Sequence, residues 1–295
     1  MPSIQANSLT LEYDTFGDPD APALLLVMGL SMQMIAWQPV FCDRLARRGF
    51  HVIRFDNRDI GLSTKIEGEG AGPDLGAILG GDTSSAPYFL WDLAADTVGL
   101  LDGLGIAKAH VVGASMGGMI VQELLIRYAD RISSACSIMS TTGDRTVGQA
   151  SPEGLAVLLS PPAVGRDAEI QRGVTILRTL SSPAYPPLDE LLEIRAVESY
   201  DRSHYPAGTG RQLAAILASG DRTEALRSVK TPTLVIHGEA DPLVNVSGGQ
   251  ATAAAIPGST LLVLPGMGHD LPPQLWDTFI DAIVANAANA VAAEV

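Results

Sequence analysis

Short apolar segments recur along the first half of the chain, and most are followed by a segment in which apolar residues return every three or four positions. Residues 23–28 are apolar throughout, which is typical of a strand buried on both faces, whereas residues 8–16 alternate in polarity and are typical of an edge strand. Helical spacing occurs in residues 37–48 and 90–104. The other strand candidates of this half are residues 51–55, 109–112 and 132–139.

The stretch at residues 66–86 contains six glycines and little periodicity. A loop of this length is expected to be functional or mobile, and the sequence leaves open whether it closes over a site. In the helix predicted over residues 90–104, the spacing places Leu93 and Leu100 inward and Asp92 and Asp96 on the other side.

The alternation of strand and helix predicts an α/β fold with a doubly wound, mostly parallel sheet. It stops at residue 141, and from there to residue 229 the chain shows no buried-strand pattern and is interrupted by prolines. The sequence therefore predicts one core domain, residues 1–140 and 230–295, with a helical cap inserted over residues 141–229.

Three helical segments are predicted within the insert, at residues 168–180, 188–200 and 211–229. The alternation resumes after it, with strands at residues 233–237 and 260–264 and helices at 247–255 and 272–285. The alanine-rich tail that follows is expected to fray.

The composition narrows the classes of partner. The formal net charge is -14 and only three residues are lysine, so the surface repels nucleic acid and anionic lipid, and neither is expected as a partner. The N-terminus lacks the basic and apolar regions of a signal peptide, and no apolar run approaches the roughly 18 residues of a membrane helix. These features predict a cytoplasmic protein in which Cys42 and Cys136 are free, buried thiols.

Neither a cofactor nor a metal is predicted. Residues 70–76 are glycine-rich but do not match the dinucleotide-binding pattern, and no P-loop pattern occurs. His237 and Asp241 lie four residues apart, but they straddle a strand end and no third ligand is evident.

Residues 113–117 carry the strongest chemical motif of the chain. They read G-A-S-M-G and connect the strand at residues 109–112 to a helical pattern that ends near residue 128. Ser115 between Gly113 and Gly117 matches the nucleophile elbow, G-x-S-x-G, in which a strained turn exposes the serine hydroxyl. The alternative is a glycine-rich turn with an inert serine.

A serine nucleophile needs a base within hydrogen-bond reach and an acid that orients the base. In this kind of fold both partners follow the serine, in the order acid and then histidine, at the carboxyl ends of later strands. Of the five histidines, His269 meets this condition, because it follows the strand at residues 260–264 in the loop P-G-M-G-H-D. The other four precede Ser115, lie in the insert or precede the best acid: His51, His110, His204 and His237.

Asp241 is the candidate acid because it follows the strand at residues 233–237 and stands before a proline that favours a rigid turn. Three other carboxylates are weaker candidates. Glu239 comes two residues too early, Asp270 is adjacent to His269, and Asp221 lies in the insert.

A tetrahedral intermediate needs two donors aimed at its oxygen. One is expected to be the backbone N–H of Met116, the residue after the serine. The second is expected from the loop after residues 23–28, where Leu30 is the candidate and Gly29 lets the backbone approach closely. Gly29 itself remains a possible donor.

Four blocks of the sequence together resemble the α/β-hydrolase family over nearly the whole chain: residues 28–30, residues 56–63, residues 113–117, and Gly238-x-x-Asp241 followed by Gly268-His269. More narrowly, V-M-G-L-S, H-V-I-R-F-D-N-R-D-I-G-L-S-T and P-G-M-G-H-D-L-P are similar to the aclacinomycin methylesterase type and related bacterial carboxylesterases. The resemblance implies Ser115 as nucleophile, Asp241 as acid, His269 as base, and Leu30 and Met116 as oxyanion donors.

The chain departs from many relatives at two places. It has Met28-Gly29 where they have His-Gly, and Arg58-Asp59 where they have Arg-Gly. The Met-Gly form occurs in the methylesterase-like branch, so the oxyanion loop is expected to be intact. The polar block at residues 56–58 could belong to a site, but in relatives it mainly ties loops together at the carboxyl edge of the sheet.

We predict a carboxylic ester hydrolase that acts through an acyl-enzyme intermediate, with small to medium apolar esters as the expected substrates; the resemblance does not identify the substrate. Several leucine and isoleucine side chains of the insert would supply the apolar pocket: Leu155, Leu158, Leu159, Ile176 and Leu177. The alternatives are the same triad on another bond, as in a C–C hydrolase of ring-fission products, an enol-lactonase or a cofactor-free perhydrolase, and a binding protein without catalysis. Tyr185, Tyr200, His204 and Tyr205 could line the pocket or serve ordinary packing.

Overall fold

The computed structural model describes residues 2–66 and 72–293, with side chains described to residue 290. Its centre is an eight-stranded sheet with the strand order β1-β2-β4-β3-β5-β6-β7-β8. Strand β2 pairs antiparallel with β1 and β4, and all the other pairs are parallel. The strands are β1 Ser3–Ala6, β2 Leu9–Phe16, β3 Ala23–Val27, β4 His51–Phe55, β5 Ala109–Ala114, β6 Ile132–Ile138, β7 Thr233–Gly238 and β8 Thr260–Leu264.

The strand predictions are confirmed to within two residues at either end, with one correction. Strand β2 is not an edge strand, because β1 pairs along its outer side. Strand β1 has only four residues, S-I-Q-A, and this alternation is too short to predict a strand by itself. The continuous apolar run of β3 is buried in full, as expected for a strand covered on both faces.

Helices cover both faces of the sheet and produce two buried apolar clusters. One cluster joins the sheet to α3 and α4, and the other joins it to α1 and α11. The α-helices before the insert and after it are α1 Pro39–Ala46, α2 Leu75–Leu79, α3 Leu90–Gly103, α4 Met116–Arg127, α10 Ser247–Ala255 and α11 Trp276–Ala293. The observed architecture is thus the doubly wound α/β fold that the alternation predicts.

Two predictions about irregular segments were wrong. The alanine-rich tail does not fray, because α11 continues to Ala293 and buries Ile280, Ile283 and Ala287 against the sheet. The expected loop at residues 66–86 contains helix α2, whose N-cap Asp74 accepts a hydrogen bond from the Ala77 N–H. Residues 67–71 of that stretch lie outside the described residues.

Residues 139–232 connect β6 to β7 and contain five helices and no strand; they are called the helical insert below. The helices are α5 Pro152–Leu158, α6 Arg166–Leu180, α7 Asp189–Arg202, α8 Pro206–Ser219 and α9 Thr223–Leu226. Helices α6 and α7 pack on each other through a small apolar cluster of their own. In contrast, Ala215 of α8 and Leu226 of α9 belong to the apolar cluster of the core.

Among the described residues, no helix has both the length and the apolar character needed to cross a lipid bilayer.

Candidate active site

Ser115 lies at the turn between β5 and α4 with a strained backbone, φ 57° and ψ -119°. Its N–H donates to the Ile138 carbonyl of the neighbouring strand, which fixes the turn on the sheet. The flanking glycines are required by space. A Cβ on Gly113 would lie 2.1 Å from the Gly117 carbonyl oxygen, and a Cβ on Gly117 would lie 2.1 Å from the Val27 carbonyl oxygen. The elbow predicted from G-x-S-x-G therefore has its expected geometry.

His269 reaches the serine from the loop after β8. Its Nε2 lies 3.0 Å from Ser115 Oγ, and its Nδ1 lies 2.7 Å from Asp241 Oδ2. The His269 side chain is nearly buried and that of Asp241 is fully buried. The two contacts require the tautomer in which Nδ1–H donates to Asp241 and Nε2 accepts the serine proton.

Asp241 is held by its own turn. Its Oδ1 accepts from the N–H groups of Leu243 and Val244, both at 2.8 Å, which leaves Oδ2 for His269. Burial by itself would raise the pKa of this carboxyl. The neighbouring His269 and the hydrogen bonds from His237, His269 and the Val244 N–H outweigh burial and hold the pKa well below its usual range. Asp241 is therefore ionised and can accept the hydrogen bond that orients the His269 imidazole.

His237 is a second histidine beside Asp241. Its imidazole is fully buried, its Nε2 donates to the Val244 carbonyl at 2.7 Å, and the same nitrogen lies 3.5 Å from Asp241 Oδ2. The spacing of four between His237 and Asp241 is visible in the sequence, but it did not predict that His237 supports the Asp241 turn. No group of three or more potential His, Cys, Asp or Glu metal ligands occurs among the described residues.

The weaker candidates from the sequence have other partners. Asp270 accepts from the N–H and the hydroxyl of Ser182, and Asp221 accepts from Thr223. His110 contacts Ser134 Oγ and His204 stacks on Tyr200. None of these contacts involves Ser115.

The two expected oxyanion donors lie against the elbow. A Cβ on Gly29 would lie 3.0 Å from Ser115 Cβ, so the loop that carries Leu30 is packed directly on the serine. Within the described part of the chain, neither the Leu30 N–H nor the Met116 N–H donates a hydrogen bond to another protein group. Both are available to a ligand oxygen, and Met116 is in addition the first residue of α4, where backbone N–H groups favour negative charge.

The polar block after β4 ties loops together. Asp56 accepts from the Met34 and Leu62 N–H groups, and Asn57 donates to the Met28 carbonyl. Arg58 binds both carboxylate oxygens of Asp96. This contact corrects the prediction that Asp96 faces away from the core: the side chain is buried because a guanidinium on the neighbouring loop neutralises it.

Sequence reasoning missed the residues that join the helical insert to these loops. Arg202 lies 2.7 Å from Asp56 and Arg211 lies 2.8 Å from Asp59, and both aspartates are fully buried. Gln212 binds the Ser31 N–H and the Arg58 carbonyl. The partners lie roughly 150 to 180 residues apart along the chain, so no local spacing could have indicated them.

Two other sequence expectations concern the cysteines and the aromatic candidates of the insert. Cys42 and Cys136 are free and buried, as predicted, and burial raises the pKa of the Cys42 thiol to about 12. Of the aromatic candidates, Tyr205 is bonded to Arg211 and lies beside Lys65, and Tyr200 lies beside Arg166.

Comparison with known proteins places these observations in context. A family model described as the alpha/beta hydrolase fold matches residues 22–274. Rhodomycin D methylesterase of Streptomyces peucetius is 28% identical over 96% of this chain and 96% of that protein. The 3-oxoadipate enol-lactonase 2 of Acinetobacter baylyi is also 28% identical, again over 96% of each chain.

Among solved structures, a meta-cleavage product hydrolase of Pseudomonas fluorescens matches with a TM-score of 0.76 at 21% identity, over 98% of each chain. At that identity the likeness concerns the fold alone. The sequence-based prediction of fold class is confirmed.

Proposed function

The chain belongs to the α/β-hydrolase family, and on this basis we propose that it hydrolyses carboxylic esters through an acyl-enzyme intermediate on Ser115. The observation that supports the proposal most is the chain of hydrogen bonds from Ser115 through His269 to Asp241. A serine hydroxyl is a weak nucleophile until a base accepts its proton, and this arrangement supplies the base and its orienting acid.

In the proposed first step, Ser115 Oγ attacks the ester carbonyl while His269 Nε2 takes the hydroxyl proton. Asp241 holds the imidazole in position and stabilises the imidazolium. The carbonyl oxygen becomes an oxyanion, which the N–H groups of Leu30 and Met116 stabilise. The carbon–oxygen bond to the alcohol then breaks, and His269 gives its proton to the leaving alkoxide.

In the second step a water molecule attacks the acyl-enzyme while His269 accepts one of its protons. The same two N–H groups stabilise the second oxyanion. Collapse of the intermediate breaks the bond to Ser115 Oγ, which recovers its proton from His269, and the carboxylic acid leaves. The reaction needs no other group than those on the chain and water.

We propose that the substrate is a small molecule with an apolar part, held beneath the helical insert acting as a cap. Helix α5 supports this because it lies against the loop of Asp241: the Ser151 N–H donates to the Pro242 carbonyl, and a Cβ on Gly154 would lie 2.2 Å from the same oxygen. Leu155 of this helix and Leu159, the residue after it, are exposed, at 46% and 58%. Exposed leucines next to a catalytic loop are typical of an apolar substrate surface.

Hydrolysis of an enol-lactone is the second candidate, because the enol-lactonase relative is as similar as the methylesterase. The reacting bond is also an ester, so the same groups would act. Three arginines that contact aspartates favour the first candidate. Arg58, Arg202 and Arg211 are each paired with an aspartate, which neutralises the positive charge that a carboxylate-bearing substrate would need.

The test is release of p-nitrophenol from acetate, butyrate and octanoate esters by the wild type, by Ser115→Ala and by Ser228→Ala, a control at an exposed serine. We expect Ser115→Ala to lower kcat by roughly 10⁴-fold or more, with Ser228→Ala unchanged. Turnover that survives in Ser115→Ala, or a wild type inactive on every ester and on the enol-lactone, would overturn the proposal.

A further inference from the structure

Two side chains of the helical insert bind the two core loops on which the proposed reaction depends. Gln212 of α8 contacts the loop that carries Leu30, and Ser182, between α6 and α7, contacts the loop that carries His269. Both side chains are fully buried. Neither touches Ser115, so both would act through backbone that they hold in place.

Gln212 uses both ends of its amide. Its Oε1 accepts from the Ser31 N–H at 3.0 Å, and its Nε2 donates to the Arg58 carbonyl at 2.9 Å. Ser31 directly follows the proposed oxyanion donor and has a positive φ of 60°, a conformation that a serine adopts only when its surroundings enforce it. The amide is therefore placed to enforce the turn that aims the Leu30 N–H.

Ser182 joins two residues that flank His269. Its hydroxyl accepts from the Gly268 N–H at 2.8 Å and donates to Asp270 Oδ1, and its own N–H donates to the same carboxylate at 3.1 Å. Two backbone bonds extend the contact: the His269 N–H donates to the Leu180 carbonyl, and the Ala184 N–H donates to the Gly266 carbonyl. The loop of residues 265–270, which carries His269 and is called the base loop below, is thus paired with the segment after α6.

The base loop and the segment after α6 are packed closely against each other. A Cβ on Gly268 would lie 2.7 Å from the Leu180 carbonyl oxygen, and one on Gly266 would lie 2.4 Å from the Ala184 side chain. A shift of the insert by a fraction of an ångström would therefore move the base loop as well.

We infer that the helical insert positions the catalytic groups: Gln212 holds the loop that carries Leu30, and Ser182 holds the base loop. The inference rests on the proposed function, since it assigns both residues to that reaction. Its consequence is that removal of either contact lowers turnover without loss of the fold, and that the two losses differ in kind.

Gln212→Met keeps the length of the side chain and removes both hydrogen bonds. Because catalysis is sensitive to misplacement on the scale of 1 Å, we expect kcat to fall about 10- to 100-fold with KM within about threefold. Affinity for a trifluoromethyl ketone, which forms an oxyanion on Ser115, should fall by a similar factor. The pH profile of kcat/KM should not move. Gln171→Met, at an exposed glutamine of α6, is the matched control and should match the wild type.

Ser182→Ala removes the hydroxyl that holds the base loop. We expect kcat/KM to fall about 10-fold and the acidic limb of its pH profile to shift, because the position of His269 changes relative to Asp241. Ser181→Ala is the matched control: the Ser181 hydroxyl donates only to the Leu177 carbonyl within its own helix end, and both quantities should stay at wild-type values.

Hydrogen exchange gives a readout that does not depend on activity. The Ser31 amide should exchange roughly tenfold faster in Gln212→Met alone, and the Gly268 amide roughly tenfold faster in Ser182→Ala alone. If Gln212→Met does not fold, Gln212→Leu tests the same contact, because it also removes both hydrogen bonds without adding a charge; kcat should then fall by about 10-fold or more.

The outcomes separate the two proposals. An active wild type whose Gln212 and Ser182 variants keep their kcat and pH profile overturns the inference and leaves the ester hydrolase intact. A folded Gln212→Leu variant with wild-type kcat overturns it too. A wild type without ester turnover overturns the proposed function, and the inference with it.

Discussion

The sheet core and the helical insert are held by different kinds of interaction. In the core, two large apolar clusters bury the faces of a sheet whose strands are paired along their length. Between α6 and α7 of the insert the buried apolar cluster has four members: Ile170, Val174, Leu192 and Ala196. The insert is joined to the core by Ala215 and Leu226 in the apolar cluster of the core and by buried ion pairs, among them Arg202–Asp56 and Arg211–Asp59.

The interactions that stabilise a region differ from those that fix its position relative to its neighbours. Apolar burial is non-directional and roughly proportional to area, so it decides that the core forms. Charge-assisted hydrogen bonds are directional, and a bidentate contact such as Arg211 with Asp59 fixes an orientation. The ion pairs of the insert are therefore suited to fixing the geometry of the loops that they contact.

The largest expected contrast lies in a pair of glycine substitutions. Gly117→Ala should abolish folding, or cost more than about 4 kcal/mol, because its Cβ would overlap the Val27 carbonyl. Gly210→Ala in α8 meets no atom within 4 Å and should stabilise by up to about 1 kcal/mol through helix propensity. Soluble yield and urea unfolding check both, and a folded Gly117→Ala with a wild-type midpoint would contradict the account of the elbow.

A pair of leucine truncations should sharpen the comparison. Leu25→Ala, in the fully buried β3, should cost about 3–5 kcal/mol of global stability. Leu192→Ala, in the small cluster of α7, should cost about 2 kcal/mol or less and raise hydrogen exchange mainly in α6 and α7. Urea unfolding with exchange measured by mass spectrometry distinguishes the two. Equal losses of global stability would show that core and insert unfold as one unit.

The ion pair between Arg211 and Asp59 offers a further test. Arg211→Met leaves a buried carboxylate with the Tyr88 hydroxyl and the Ile66 N–H as its remaining hydrogen-bond donors, so a loss of about 3 kcal/mol is expected. Adding Asp59→Asn removes the stranded charge and should recover part of that loss. A double-mutant cycle in urea measures the coupling. Purely additive losses would mean that the pair does not anchor the insert.

The smallest expected effect is on the pH dependence of stability. The folded state lowers the pKa of Asp241, so its contribution is present above the unfolded value of about 4 and is lost as the pH falls below it. Asp241→Asn should therefore flatten the loss of stability between pH 7 and pH 3.5. Burial raises the pKa of Asp270, beside the insert, so Asp270→Asn should steepen the same loss. Urea midpoints at the two pH values check both signs.

Most of the fold and the three residues of the proposed triad could be predicted from local sequence patterns. The apolar run of β3 predicted its strand to within one residue, because burial on both faces leaves no polar position in it. The elbow glycines predicted Ser115, because a strained turn between strand and helix tolerates few other residues. Strand ends then indicated Asp241 and His269, since parallel strands bring their carboxyl ends to one edge.

The contacts that support the site could be determined only from the tertiary structure. Strand β1 forms because it pairs with β2, although its own four residues are too few to predict a strand. Asp96 is buried because Arg58 neutralises it, and Gln212 and Ser182 bind loops that lie far away in the chain. Hydrophobic periodicity and turn chemistry act between neighbours in sequence and can be read from it. A hydrogen bond across 86 or 181 residues depends on where two segments meet after packing, and only the folded chain determines that.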